Sequence, residues 1–189
     1  GNQWNPDNGP VPYAVHPDGS DDVDDGSDLQ AIHDAYRAWA CVEGSALRFE
    51  KLSENGPQVV ADDGFNTFFF SETEDMAREN GMGPGTLGIT IGAAGTEADI
   101  TLNGFDHTWS ATYPPTAQDI MSTSLHEVGH LLGLAHPCDD ENDLNTCLTS
   151  AVTVMHPNDQ TLVNMPLSDD VAAMLELYPS TDKSRCEGP

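Results

Sequence analysis

Basic residues are nearly missing from this sequence. Against 32 aspartates and glutamates stand 6 lysines and arginines, for a formal net charge of -26. A surface of that sign repels phosphate backbones and anionic headgroups, which excludes nucleic acid and acidic membrane as partners. Also missing is any apolar run of the roughly eighteen residues a membrane span needs, so no membrane insertion is expected. The 4 cysteines, Cys41, Cys138, Cys147 and Cys186, contain no CxxC pair, which rules out zinc ribbons and thioredoxin-type redox centres. No internal repeat or low-complexity tail is visible. The opening GNQWNPDNGP has neither a charged leader nor an apolar stretch, as expected of a mature form whose signal and pro-segment have been removed.

What is present suits a single domain of 189 residues, or one domain in two lobes, with 38% hydrophobic residues to build a core. An even cysteine count beside an export-like composition points to two disulfides and a secreted, extracellular address. Three pairings are open, with buried free thiols as the alternative. Cys138 and Cys147 bracket DDENDLNT, a short ring that a bridge would close, which leaves Cys41–Cys186 to tie the tail to the first helix. The acidic clusters Asp18–Asp28 and Asp139–Asn145 are candidate sites for structural calcium, with solvated surface as the alternative. Neither is an EF-hand; the second has alternating acids but Leu144 where that loop needs glycine.

The patterning predicts an α+β chain. Val11–Val15, Ala46–Leu52, Thr67–Phe70, Gly85–Ile91 and Ala98–Asn103 read as strands. A helix is expected from Ser27 or Asp28 to Val42, with Leu29, Ile32, Ala35, Tyr36, Trp39 and Val42 on its apolar stripe and Gly44 ending it. Ser71–Pro84, polar and glycine-rich, reads as a surface loop. A second helix is expected to be capped by Thr116, with Asp119 completing the box, and to end at Gly133. A last helix, DDVAAMLELY, is capped by Ser168.

The second helix carries the chemistry. TSLHEVGHLLGLAHP places three of the chain's 7 histidines, His126, His130 and His136, in one otherwise apolar stretch. On a helix, His126 and His130 share a face, about 5–6 Å apart at Cβ, and can converge on one metal ion. Gly133 lets the backbone swing, and His136 can return to the same ion. Glu127 is too close to His126 to be a comfortable ligand and is placed to take a proton from metal-activated water. The pattern predicts three neutral nitrogen ligands, an open position and a carboxylate base.

HEVGHLLGLAH resembles the extended zinc motif HExxHxxGxxH of the metzincin proteases. Met155, in SAVTVMHP, is similar to the methionine turn that lies beneath their metal. The closest likeness is to the matrixins. Trp4 ahead of the strand containing Tyr13, AYRAWACV ahead of LRFE, GTLGITIG, ADITLN and LSDDVAAMLELY with its paired Asp169 and Asp170 all resemble that group, over about residues 4–179. The resemblance implies a zincin fold with a twisted, mixed five-stranded sheet, about three helices and a zinc cleft. An upper lobe would span about 1–133, a lower lobe about 134–180 and a tail 181–189. It implies a secreted, monomeric zinc endopeptidase with one catalytic Zn2+ and protein or peptide substrates. Gly85, Thr86, Leu87, Gly88 and Ile89 would form the edge strand that pairs with substrate, and Pro157 would help line the pocket beyond the cut bond. The segment Gly85–Ile91 as an interior strand is the alternative.

Some features depart from the matrixin pattern. Pro137 after His136 looks more like the serralysins, yet Pro157 occupies the position where serralysins and astacins carry a tyrosine ligand. No histidine-rich loop for a second zinc is recognisable, and His16, His33, His107 and His156 read as structural or exposed. The alternatives are a serralysin- or astacin-like branch, or a metal-stabilised binding module without turnover; an intact Glu127 speaks against the module.

Overall fold

Thr67, Phe68, Phe69 and Phe70 are consecutive and all buried. A strand with no exposed face must lie inside a sheet covered on both sides. In the computed structural model, which describes residues 3–53, 55–112, 117–138, 153–157 and 162–181, that is where they lie. The chain runs β1 (Val11–Val15), α1 (Ser27–Ala40), β2 (Phe49–Ser53), β3 (Thr67–Phe70), α2 (Glu74–Glu79), β4 (Gly88–Ala93), β5 (Glu97–Leu102), β6 (Trp109–Ser110), β7 (Gln118–Asp119), α3 (Ile120–Leu131) and α4 (Ser168–Leu177). The main sheet has the order β2-β1-β3-β5-β4. Its first four strands are parallel, and β4 runs antiparallel to β5 at an edge. The five-stranded mixed sheet is therefore as expected, and Gly88–Ala93 is an edge rather than an interior strand.

The aromatic core fixes how the helices lie on this sheet. Tyr13 of β1 stacks on Tyr36 of α1 at 3.8 Å between ring centroids, with Phe49 edge-on to both. Trp39, fully buried on the same helix, donates its indole N–H to Leu125 O of α3 at 2.9 Å. That bond ties the two helices behind the sheet. The last turn of α3 is held from both ends of the chain: Trp4 Nε1 donates to Leu131 O at 2.9 Å, and the Tyr178 hydroxyl donates to Leu132 O at 2.7 Å. Carbonyls at a helix C-terminus have no partner within the helix, so these two side chains satisfy groups that would otherwise be left buried and unpaired.

Several boundaries differ from expectation. Ser71–Pro84 is not all loop: Thr73 accepts the Met76 N–H and caps α2, a helix with only Ala77 buried and hence no apolar stripe to announce it. The first helix stops at Ala40, with Cys41 as its C-cap. Asp119, not Thr116, caps α3; Thr116 lies outside the described residues. The cap residue of α4 is Leu167 rather than Ser168, because the Asp170 carboxylate accepts the Leu167 N–H at 2.8 Å. No helix among the described residues is long and apolar enough to cross a membrane.

Candidate metal centre and active site

At the start of α3 the Asp119 carboxylate accepts the Ser122 N–H at 2.7 Å. At its end Gly133 N–H bonds His130 O at 2.9 Å and Leu134 N–H bonds Gly129 O at 3.0 Å, with Gly133 at φ 90°. This paired pattern closes a helix on a left-handed residue, a conformation glycine adopts without steric cost. The reversal brings His136 back to the face that carries His126 and His130.

The three Nε2 atoms form a triangle with every edge 3.1 Å. His126 Nδ1 lies 2.7 Å from Val154 O, and His130 Nδ1 lies 2.9 Å from Leu134 O. A carbonyl oxygen only accepts, so both Nδ1 atoms carry the hydrogen and each neutral ring keeps its lone pair on Nε2. The His126 and His130 lone pairs thus face each other across 3.1 Å with no hydrogen between them, an arrangement that repels itself until a cation is shared, and His136 Nε2 completes the triangle. Neutral imidazoles with their second nitrogen fixed by a carbonyl are the donor set zinc takes. The residues fit the ion. Burial pulls His126 below the ordinary imidazole range, and pulls His136 down to about 4 with help from His130, His126 and His156. Both rings are neutral at pH 7, as ligands must be. Among the described residues, no other three His, Cys, Asp or Glu side chains gather their ligand atoms in this way.

Glu127 is turned into the protein and is 4% exposed. Burial pushes its carboxyl above the ordinary glutamate range, while His130 and a hydrogen bond from Thr90 pull the other way. Beneath the triad, Met155 is buried with its sulfur against Gly129, where a Cβ would overlap it and would come within 3.1 Å of the Trp39 ring. The turn holding Met155 is fastened by Asp170, buried in the first turn of α4. Its carboxylate accepts the Val154 N–H at 2.9 Å and the Thr153 hydroxyl. Since Val154 O in turn receives His126, a single residue, Val154, links α4 to the first ligand ring.

The Matrixin peptidase family matches residues 3–179 of the chain. The chain belongs to the matrixins. This matrixin is a metalloendopeptidase domain with the catalytic histidine triad in place, and the match is to this branch rather than to the serralysin- or astacin-like alternative. No curated protein matches the chain significantly.

Of the residues singled out in the sequence, His126, His130 and His136 bring their ligand atoms together, Glu127 is buried on the same helix, and Met155 packs against Gly129 of that helix. Gly88 and Ile89 lie on the edge strand β4, but Gly85, Thr86 and Leu87 do not. They form the turn leading into it, because Asn103 engages their backbone: its side chain donates to Gly83 O and Thr86 O, and its N–H bonds Leu87 O. Pro157 follows the methionine turn and is half-buried, while Asn158–Thr161 lie outside the described residues. His107, expected at the surface, is half-buried with Nε2 3.2 Å from Thr86 O. In the acidic stretch Asp18–Asp28, Asp28 accepts the Ser20 N–H, Asp22 the Trp109 N–H and Asp25 the Ser27 N–H, so these carboxylates shape turns. Asp139–Asn145 lie outside the described residues. Neither described cysteine, Cys41 or Cys138, is a free thiol. Sequence reasoning missed Thr90 and Asp170 as site residues, and only the paired aspartates of the last helix hinted at the second.

Proposed function

We propose that this matrixin is a secreted endopeptidase in which His126, His130 and His136 hold one zinc ion and Glu127 is the general base. The observation that carries the reading is the convergence of three imidazole Nε2 atoms beside a buried carboxylate. Zinc bound there supplies a Lewis acid that polarises a scissile carbonyl and makes water nucleophilic near neutral pH. Glu127 takes the proton of the attacking water on a carboxylate oxygen and delivers it to the leaving amine nitrogen. A carboxyl raised by burial is suited to both halves of that transfer. The edge strand β4 offers unpaired backbone groups on its outer side, and an extended peptide adds to it as a further strand, with Gly88 and Ile89 as the nearest contacts. Residues 1–133 act as the upper lobe of the cleft and 134–180 as the lower. Cys138–Cys147 and Cys41–Cys186 are the bridges that suit secretion.

Replacing Glu127 by alanine tests the base. Zinc content should match the wild type, and cleavage of casein should fall by about 10²–10⁴-fold, the range for a lost general base. A mutant that still cuts casein at the wild-type rate would overturn the assignment.

A further inference from the structure

Thr90 lies on the edge strand, and its hydroxyl oxygen is 2.7 Å from Glu127 Oε2 and 3.0 Å from the Glu127 backbone O. Two residues earlier on the same face of β4 is Gly88, where a Cβ would come within 3.0 Å of both Cγ and Oε1 of Glu127. The Glu127 side chain therefore rests against a stretch of strand that is bare at one position and hydroxylated at the next-but-one. We infer that Thr90 is a positioning residue for catalysis, holding the Glu127 carboxylate in its working orientation from the strand that receives substrate. The inference rests on the reading of Glu127 as general base.

The physical argument is one of degrees of freedom. A glutamate has three side-chain torsions, and holding them in one orientation costs conformational entropy that a fixed partner offsets. Among the described residues the Glu127 carboxylate accepts one hydrogen bond, the one from Thr90. A threonine is suited to give it, because its β-branch restricts its first torsion and aims the hydroxyl. The backbone carbonyl of Glu127, 3.0 Å from the same hydroxyl, competes for its single hydrogen, and the carboxylate oxygen at 2.7 Å is the nearer acceptor. The arrangement also distinguishes the two carboxylate oxygens. Oε2 receives Thr90, and Oε1 lies on the Gly88 side.

Because Gly88 and Thr90 belong to the strand proposed to pair with substrate, the base and the substrate register share one support. Thr90 directs its side chain at α3, whereas strand addition uses backbone groups, so losing the hydroxyl should affect turnover more than binding.

The experiment compares Thr90→Val, Thr90→Ser and Glu127→Ala with the wild type, measuring kcat and KM on a fluorogenic peptide, zinc content and melting temperature. Valine keeps the β-branched shape and removes the hydroxyl. T90V should bind zinc as the wild type does, keep KM within about twofold and lose about 10- to 100-fold in kcat, the range for a hydrogen bond to a charged group. T90S should recover kcat to within a few-fold. A T90V enzyme with wild-type kcat beside an inactive E127A would overturn the role of Thr90 alone. A loss confined to KM or accompanied by loss of zinc, or one that T90S does not restore, would also overturn it. An E127A enzyme that turns over normally would overturn the general-base reading and Thr90's role with it.

Discussion

Gly129 sits between the first two ligands and has no room for even a methyl group, since the Met155 sulfur and the Trp39 ring already fill the space. Its backbone is helical, so alanine there would gain about 1 kcal/mol in helix propensity. Overpacking a buried contact costs about 1–3 kcal/mol, and both neighbours are buried. The second effect should win: Gly129→Ala is expected to lose up to about 2 kcal/mol in urea unfolding, with Met155 displaced from its place against the helix. At this scale the ligands were legible because the helical period alone puts His126 and His130 on one face, and a left-handed Gly133 returns His136. Thr90 was not legible. In GTLGITIG it reads as an ordinary strand residue, and its partner Glu127 comes 37 residues later, joined only through packing of α3 on β4.

Between elements, the joint that matters most is Asp170, which joins the first turn of α4 to the methionine turn and, through Val154, to His126. An asparagine at 170 could accept from one backbone N–H but would no longer serve several donors with a full charge. Hydrogen bonds to charged groups are worth about 1.5–3 kcal/mol each, and substitution of groups that orient metal ligands typically costs 10–100-fold in metal affinity. Asp170→Asn is therefore expected to lower thermal stability and to weaken zinc binding by about 10–100-fold in competition with a chelator. The sequence showed that a helix begins near residue 168 with paired aspartates, but not that the second of them is buried against the methionine turn. The strands and the two long helices were readable because apolar residues repeat with the right period along them. Helix α2 was hidden, since a helix with one buried residue leaves almost no periodic trace.

For the molecule as a whole, a carboxylate buried in the sheet makes stability respond to acid. Asp99, buried on β5, accepts the N–H groups of Thr67 and Ala61 at 2.8 and 3.1 Å. Burial nevertheless raises its pKa from 3.8 to about 6, with Glu97 and Asp63 adding to the rise. A group whose folded pKa lies above its unfolded one binds more protons when folded, so it adds stability as pH falls. That contribution should be absent above about pH 6 and complete below 3.8. The stability difference between wild type and Asp99→Asn, followed by urea unfolding of zinc-loaded protein from pH 7 to 4, is expected to shift in favour of the wild type across that window. Length and composition pointed to one domain of this size, whereas such a shift depends on burial that only the assembled sheet creates.

The indole near one end of the chain and the phenol near the other work as the two halves of a clasp closed over the helix that bears the metal ligands. Both rings reach that helix from segments far apart in sequence, so the clasp closes only when the two flanks of the fold have docked. Whatever loosens either ring therefore loosens the turn on which Gly133 returns His136 to the triad.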